Sequence, residues 1–396
     1  MADNFFVTAI LVSHDGQDWL PETIASISAQ NRSVDRIIAV DTGSIDNSVK
    51  MISNAGITVV KTDRDAGFGD AIALALGSAK KLKSEDQEEL IWILHDDCAP
   101  TRSALKNLIE GLTDKPQVAF VGPKLLGWYD RKHLLEVGIS IAVNGARWTG
   151  LDPREQDQGQ YDQPTEVLSV STAAMLARRK VFEDLGGLDP NLALFRDDVD
   201  LGWRARVAGF SVLTAPQALV YHVEAAASEL RSVDVEEAFL HRPRLLDRKN
   251  AAYVLLANAS WWFLPWIALQ IVGSAAIRAI GYLIAKLPGY AADEIAAVGL
   301  LIIKPQDLLA ARKIRKSKRL LSPRTIREFI PPPGSQIRLA AEQASYALRK
   351  YFKTNEVVDD VADEPMSYAD IGVIDENFDE DIVIKSRKSN WQTLRN

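Results

Sequence analysis

Leu90-Ile91-Trp92-Ile93-Leu94, followed at once by His95-Asp96-Asp97, is the stretch on which the reading of this chain turns. Five apolar residues without alternation are the pattern of a strand covered on both faces, and this one ends on a histidine and two carboxylates. Upstream the pattern recurs. Phe5-Phe6-Val7-Thr8-Ala9-Ile10-Leu11-Val12 closes on Ser13-His14-Asp15-Gly16, and Arg36-Ile37-Ile38-Ala39-Val40 closes on Asp41-Thr42-Gly43-Ser44. Ile57-Thr58-Val59-Val60 leads to Asp63-Arg64-Asp65-Ala66-Gly67-Phe68-Gly69. Helical stretches alternate with them: one after Pro21, one from Asn47, and an Ala/Leu-rich one over residues 71–83. Strands alternating with helices predict an α/β domain with a mostly parallel sheet. Ligands of such sheets sit at the carboxyl ends of strands, where the polar clusters of this chain lie.

The 396 residues carry 46 Lys+Arg and 53 Asp+Glu, a formal charge of −7. With 47% hydrophobic and 25% charged residues the chain has an ordinary globular composition, which excludes wholesale disorder. A pI near 5.4 gives no electrostatic support to a dedicated nucleic-acid binder. The single cysteine, Cys98, cannot form an internal disulfide. Asp3 ahead of the first apolar run, with no basic segment before it, does not read as a secretory signal. The mean hydropathy of −0.06 is too low for a polytopic membrane protein but leaves room for a membrane segment.

Residues 250–277 contain no charge and include Trp261-Trp262-Phe263-Leu264-Pro265-Trp266, a length able to span a bilayer. Arg242, Arg244, Arg248 and Lys249 precede it, and a second basic block occupies 312–319. A weaker apolar stretch over 279–303 is interrupted by Lys286, Pro288, Asp293 and Glu294. Two crossings, or a re-entrant or interfacial hairpin, would keep both basic clusters on the cytoplasmic side, as the positive-inside rule requires. The expected organisation is therefore an α/β domain over 1–225, a linker with a basic end over 226–250 and a membrane-spanning or re-entrant helical hairpin over 251–303. A basic and amphipathic helical segment follows over 304–353, then an acidic, disordered tail over 354–396. The basic return at Lys385-Ser386-Arg387-Lys388 is compatible with a chain that continues as a longer membrane protein.

Asp96-Asp97 with His95 beside them suit a hard divalent cation, Mg²⁺ or Mn²⁺, which prefers oxygen ligands and is completed by water and phosphate. Read alone, such a pair is better explained as a solvated loop capping the next helix. Asp41 can accept hydrogen bonds from a base or ribose, and Gly43 permits close backbone approach. Asp65 and Gly67 open a helix, a suitable place for a phosphorylated ligand. Neither a G-x-G-x-x-G run nor a Walker A lysine loop occurs. Downstream, Asp197-Asp198-Val199-Asp200 offers a general base, and Tyr221-His222 ends an apolar strand.

In their order, Asp41-Thr42-Gly43-Ser44-x-Asp46, Asp65-Ala66-Gly67-Phe68, His95-Asp96-Asp97, Gly186-Gly187-Leu188-Asp189, Asp197-Asp198-Val199-Asp200-Leu201-Gly202-Trp203-Arg204 and Tyr221-His222 resemble the inverting family 2 glycosyltransferases of GT-A fold, in their membrane-associated bacterial envelope form. The resemblance covers about the first 225 residues. It implies a nucleotide-diphosphate sugar donor over the first strands, contacted by Asp41, Gly43, Asp65, Gly67, His95 and Asp96. It also implies a divalent cation on Asp97 and His222, Asp198 as catalytic base, and Asp197 and Trp203 at the acceptor. His95 stands where the family has its first motif acid, and Asp197 replaces the usual Glu. The implied acceptor is a lipid-linked or cell-envelope glycan, and the implied location is the cytoplasmic face of the plasma membrane. The stretches 132–137 and 157–162 are expected to shape the acceptor side. A sugar-phosphate nucleotidyltransferase lacks support because its basic glycine-rich N-terminal loop is missing. A non-catalytic scaffold is disfavoured by the joint presence of Asp97, Asp198 and His222.

Overall fold

A computed structural model describes residues 4–82, 87–152, 154–225, 242–303 and 305–332. The part of the expected basic and amphipathic segment beyond residue 332, and the acidic tail, lie outside the described residues. The order of elements is β1 (Phe5–Ser13), α1 (Leu20–Ser28), β2 (Arg36–Asp41), α2 (Ser48–Asn54), β3 (Thr58–Lys61), α3 (Phe68–Ser78), β4 (Glu88–His95), β5 (Cys98–Pro100), α4 (Ala104–Leu112), β6 (Val118–Gly127), β7 (Leu134–Glu136), β8 (Ser140–Ile141) and β9 (Arg147–Trp148). There follow β10 (Leu176–Arg178), α5 (Arg179–Leu185), α6 (Asp197–Val207), β11 (Ser211–His222), α7 (Pro243–Asn258), α8 (Leu264–Ile284), α9 (Pro288–Ile303) and α10 (Pro305–Lys318).

The main sheet runs β3-β2-β1-β4-β10-β6-β11-β5, with β7 on β6. β3, β2, β1 and β4 are parallel neighbours. β10 inserts antiparallel between β4 and β6, and β11 runs parallel to β6. Side chains alternate across this sheet. Leu90, Trp92 and Leu94 of β4 join Val7 and Leu11 in one apolar cluster with α1 and α4. Ile91 and Ile93 join Ile10, Phe120 and Leu201 in a second, under α3, α5 and α6. The unalternating strands are apolar throughout because both faces are covered. Leu90 to Leu94 are all fully buried.

The uncharged run 250–277, read from sequence as one segment, is divided between two helices. α7 starts among the charged residues before it and ends at Asn258, and α8 begins at Leu264 after a tight turn at Trp261–Phe263. Pro265 forces the break. It is tolerated in the first turn of α8, but inside a continuous helix it would remove a hydrogen bond and clash with the preceding turn. The boundary expected at residue 250 thus falls inside α7. Residues 251–257 of that helix pack with Ile139, Leu168, Val199 and Trp203 of the α/β domain in a third apolar cluster, which also takes in Ile271 of α8 and Ala311 of α10. Trp261–Ile284 remains long and apolar enough to cross a membrane by length and composition.

Candidate functional site

β4 ends at His95, and Asp96 and Asp97 form the turn into β5. β5 pairs antiparallel with β11 so that Cys98 faces His222. The strand pairing therefore carries His222 to Asp97. The Ala225 amide donates to Asp97 Oδ2 at 2.9 Å, which turns Oδ1 toward the histidines. His222 Nε2 lies 3.2 Å from that oxygen and His95 Nδ1 3.9 Å from it. His222 Nε2 is buried and makes no hydrogen bond, so the approach lacks hydrogen-bond geometry. One ligand atom from each of His95, Asp97 and His222 falls within 4.8 Å of the others. His95 Nε2 sits 3.1 Å from Thr172 Oγ1, a contact that fixes the ring with Nδ1 facing inward. Burial disfavours a charged His222, but Asp97 outweighs it and holds the imidazole pKa above its ordinary value. Two imidazole nitrogens and one carboxylate oxygen converging on one point, one of them a buried orphan, fit a divalent cation. His95, expected to contact the donor, thus stands with Asp97 and His222 at the candidate cation site.

Asp96 turns the other way. It is buried, and its Oδ2 accepts the His14 amide at 2.8 Å while its carbonyl accepts the Thr23 hydroxyl. It therefore ties the end of β4 to the loop after β1. Asp41, at the end of β2, is also buried. Its Oδ2 accepts the Ser44 amide at 3.2 Å, while Oδ1 has no hydrogen bond. Gly43 has a φ of +71° and lies against the backbone of Arg64, which brings the turn carrying Asp65 beside Asp41. Arg64 is bonded to Asp15 at 2.6 Å and to the Gly43 carbonyl at 3.0 Å, and Asp65 is exposed next to it. Gly67 is buried at the start of α3, where the adjacent Phe68 amide donates to the Ala193 carbonyl at 2.8 Å.

Asp197 and Asp198 open α6, where the helix dipole favours negative charge. Phe195 and Arg196, just before them, are both left-handed, with φ of 64° and 67°. Such a conformation costs about 1–2 kcal/mol for each non-glycine residue. α7 holds it in place. Arg196 makes two bonds to Asp247, at 2.6 and 3.0 Å, and Asn250 Nδ2 donates to the carbonyls of Leu194 and Phe195. Asp198 Oδ1 accepts the Val199 amide at 2.7 Å, and Oδ2 accepts Arg147 Nη2 at 3.0 Å. Arg147 also donates to Glu136 Oε1 at 2.8 Å. Burial opposes charge on Arg147, but Asp198 and Glu136 outweigh it and keep the guanidinium firmly protonated. Asp197 has no such cation of its own. Burial and the neighbouring Asp198 push its pKa from 3.8 up to about 7.

Asp200 and Trp203 point away from this cluster. Asp200 accepts from Arg204 at 2.7 Å, from Arg315 of α10 at 2.7 Å and from Asn258 at 2.7 Å. Burial alone would raise its pKa, but Arg204 and Arg315 bring it down to about 2. Arg315 also bonds Asp189 at 2.6 Å. Trp203 is buried in the third apolar cluster, with Nε1 unbonded, which gives it packing contacts where acceptor contact was expected. Of the stretches expected on the acceptor side, Asp157 and Asp162 are committed to the fully buried Lys124. Glu136, in the other expected stretch, bonds Arg147, and Arg147 reaches Asp198. Arg147, Asp247, Asn250 and Thr172 carry no motif, and no local signal marks them.

A family profile described as "Glycosyltransferase like family 2" matches residues 4–234, more than half of the chain. The chain belongs to this family. It is a glycosyltransferase, and the sheet described above is its GT-A fold. Over 291 residues it is 22% identical to N-acetylglucosaminyl-diphospho-decaprenol L-rhamnosyltransferase of Mycobacterium tuberculosis, an alignment covering 68% of this chain and 90% of that one. It is 26% identical over 174 residues to the O-antigen biosynthesis protein RfbC of Myxococcus xanthus, covering 42% of this chain but 14% of the relative's length. Among solved structures, GalNAc-T7 with UDP, GalNAc and Mn²⁺ aligns with a TM-score of 0.49 at 15% identity, over 77% of this chain and 57% of that one.

Proposed function

We propose that this glycosyltransferase moves a sugar, with inversion, from a nucleotide-diphosphate donor to a hydroxyl of a lipid-linked or cell-envelope glycan, using Mg²⁺ or Mn²⁺ at the cytoplasmic face of the plasma membrane. The observation that carries the reading is the convergence of His95, Asp97 and His222 at the carboxyl end of the sheet, with His222 Nε2 buried and unbonded. When bound there, a cation supplies positive charge against the departing diphosphate. Asp41, with a buried unbonded oxygen at the end of β2, is the acceptor for a donor hydroxyl or base N–H.

Asp198 takes the proton of the acceptor hydroxyl, whose oxygen then bonds to the anomeric carbon as the bond to the diphosphate breaks. The Val199 amide and Arg147 fix the Asp198 carboxylate in its orientation. Asp197, protonated below about pH 7, can donate a hydrogen bond to the acceptor. Glu136 supports this arrangement, since it bonds the Arg147 that orients Asp198.

The test is a screen of nucleotide sugars for nucleoside-diphosphate release, with and without Mn²⁺. The rhamnosyl and polyprenyl-diphosphate chemistry named for the mycobacterial relative supplies the first donor and acceptor to try. Release of the nucleoside diphosphate is expected, and release of pyrophosphate or no turnover with any donor would overturn the reading. Asp97→Ala should remove the Mn²⁺-dependent part of donor binding, which calorimetry reads directly. Undiminished binding with Mn²⁺ would count against the metal site.

A further inference from the structure

We propose that α8 and α9, with the exposed side of α10, form a platform that lies in the plane of an anionic bilayer without crossing it. The inference rests on the membrane location in the functional reading and settles its geometry. Helix Trp261–Ile284 has 24 residues and would be about 36 Å long, enough for a hydrocarbon core of about 30 Å. Its two faces are unlike. One carries Ile271, Ala275, Ala279 and Tyr282, which are buried in the protein. The other exposes Trp262, Trp266, Leu269, Ile277, Ile280 and Ile284.

The buried face is pinned by charges. Arg278 of α8 bonds Glu294 of α9 at 2.8 Å, Arg248 of α7 bonds the same carboxylate at 3.2 Å, and Arg242 bonds Asp293 at 2.7 Å. Ile271 packs in the same apolar cluster as Trp203 and Val199, next to the acids of α6. Standing α8 upright in a membrane would draw these ion pairs and part of the catalytic domain into hydrocarbon, where each charge is costly. Laid flat, the same helix buries only its apolar face and leaves the pairs beneath the headgroups.

Charge complementarity selects the occupant. In α8, the turn after it, α9 and α10, the exposed charged residues among those described are Lys286, Lys313 and Lys316, all basic. Of the acids there, Asp293 and Glu294 face inward and are paired, and Asp307 in the first turn of α10 is half-buried. A basic fringe around an apolar face suits anionic lipid, and the stacked Trp261 and Trp262 rings at the start of the helix suit the interfacial zone.

Two measurements on the full chain test this. In flotation with vesicles of equal parts phosphatidylglycerol and phosphatidylcholine, Trp262→Glu with Trp266→Glu should lower the bound fraction at least about tenfold. Lys286→Cys in spheroplasts should stay unlabelled by an impermeant external maleimide and label after lysis; Cys98 is buried. Unchanged flotation, or a dimer that buries these tryptophans and excludes vesicles, would overturn the platform. External labelling at 286 would show that the chain crosses and overturn the in-plane geometry. Nucleoside-diphosphate release in detergent should be unaffected by the two Trp substitutions. Its absence from wild type and variant alike would remove the transferase chemistry while the flotation result still stood.

Discussion

Asp97 and Asp198 are held by different means. Asp97 sits in the turn between β4 and β5, and backbone pairing of β5 with β11 delivers His222 to it. Asp198 sits at the start of a helix entered through two left-handed residues, and side chains from β9 and α7 hold that entry. The cluster around Asp97 is a product of sheet topology. The cluster around Asp198 depends on Arg147, 51 positions away, and on Asp247 and Asn250 of the helical region that follows the α/β domain. That region is therefore part of the scaffold that holds Asp198, as well as the proposed membrane-facing surface.

The largest expected effect comes from Asp198 itself. Asp198→Asn is nearly isosteric and removes the base, but it keeps only one of the two contacts, because its Nδ2 donates where a carboxylate oxygen accepted from Val199 or Arg147. Transfer should fall about 10²–10⁴-fold, with donor binding near the wild-type value. Retained transfer would reassign the base, and lost donor binding would mean that the two clusters are not separable.

Arg315→Ala comes next. It strips the cation from Asp189 and one of two cations from Asp200, both buried, and breaking such a network costs about 3–5 kcal/mol. A urea midpoint should show it. Replacing Asp200 by Asn in the same chain should recover part of the loss, because a buried carboxylate left short of one cation is then gone. No recovery would mean that Arg315 acts through packing on Tyr253 instead.

Asn250→Ala tests the scaffold claim with a smaller change. It removes the amide that bonds the Leu194 and Phe195 carbonyls and should cost about 1 kcal/mol of stability. As a positioning residue it should lower kcat more than it raises the donor KM, with Mn²⁺-dependent donor binding intact. A loss confined to stability would leave α7 as packing alone.

The same contrast explains what the sequence disclosed. The strands and the acids at their ends were readable because each is local: Leu90–Leu94 is apolar on both faces, and Asp41 and Asp97 follow directly in the chain. The roles within the motifs were less so. Asp96 and Asp97 are adjacent, yet one ties β4 to the β1 loop and the other faces the histidines. Asp200 and Trp203 belong to the same short motif as Asp198, but helical geometry turns them toward α10 and the third apolar cluster. Arg147 was invisible because an arginine in a Gly-Ala-Arg-Trp hairpin announces nothing until the fold sets it on Asp198. The uncharged run at 250–277 misled for the opposite reason. Its composition is uniform, but half of it packs on α6 and half begins the exposed helix.

The smallest effect separates Asp197 from its neighbour. Burial and Asp198 raise its folded pKa from 3.8 to about 7, so between those values the folded chain binds more protons than the unfolded one. Stability contributed by that proton is fully present below about pH 4, declines as pH rises, and is gone above about pH 7. One such group changes the unfolding free energy by at most about 1.4 kcal/mol per pH unit. Asp197→Asn, neutral at every pH, should flatten that part of the stability profile between about pH 4 and 7 while leaving the rest in place. An unchanged slope would mean that Arg147 already satisfies both acids. The comparison would then shift, because the α6 cluster would be a single ion network instead of a charged base beside a protonated partner.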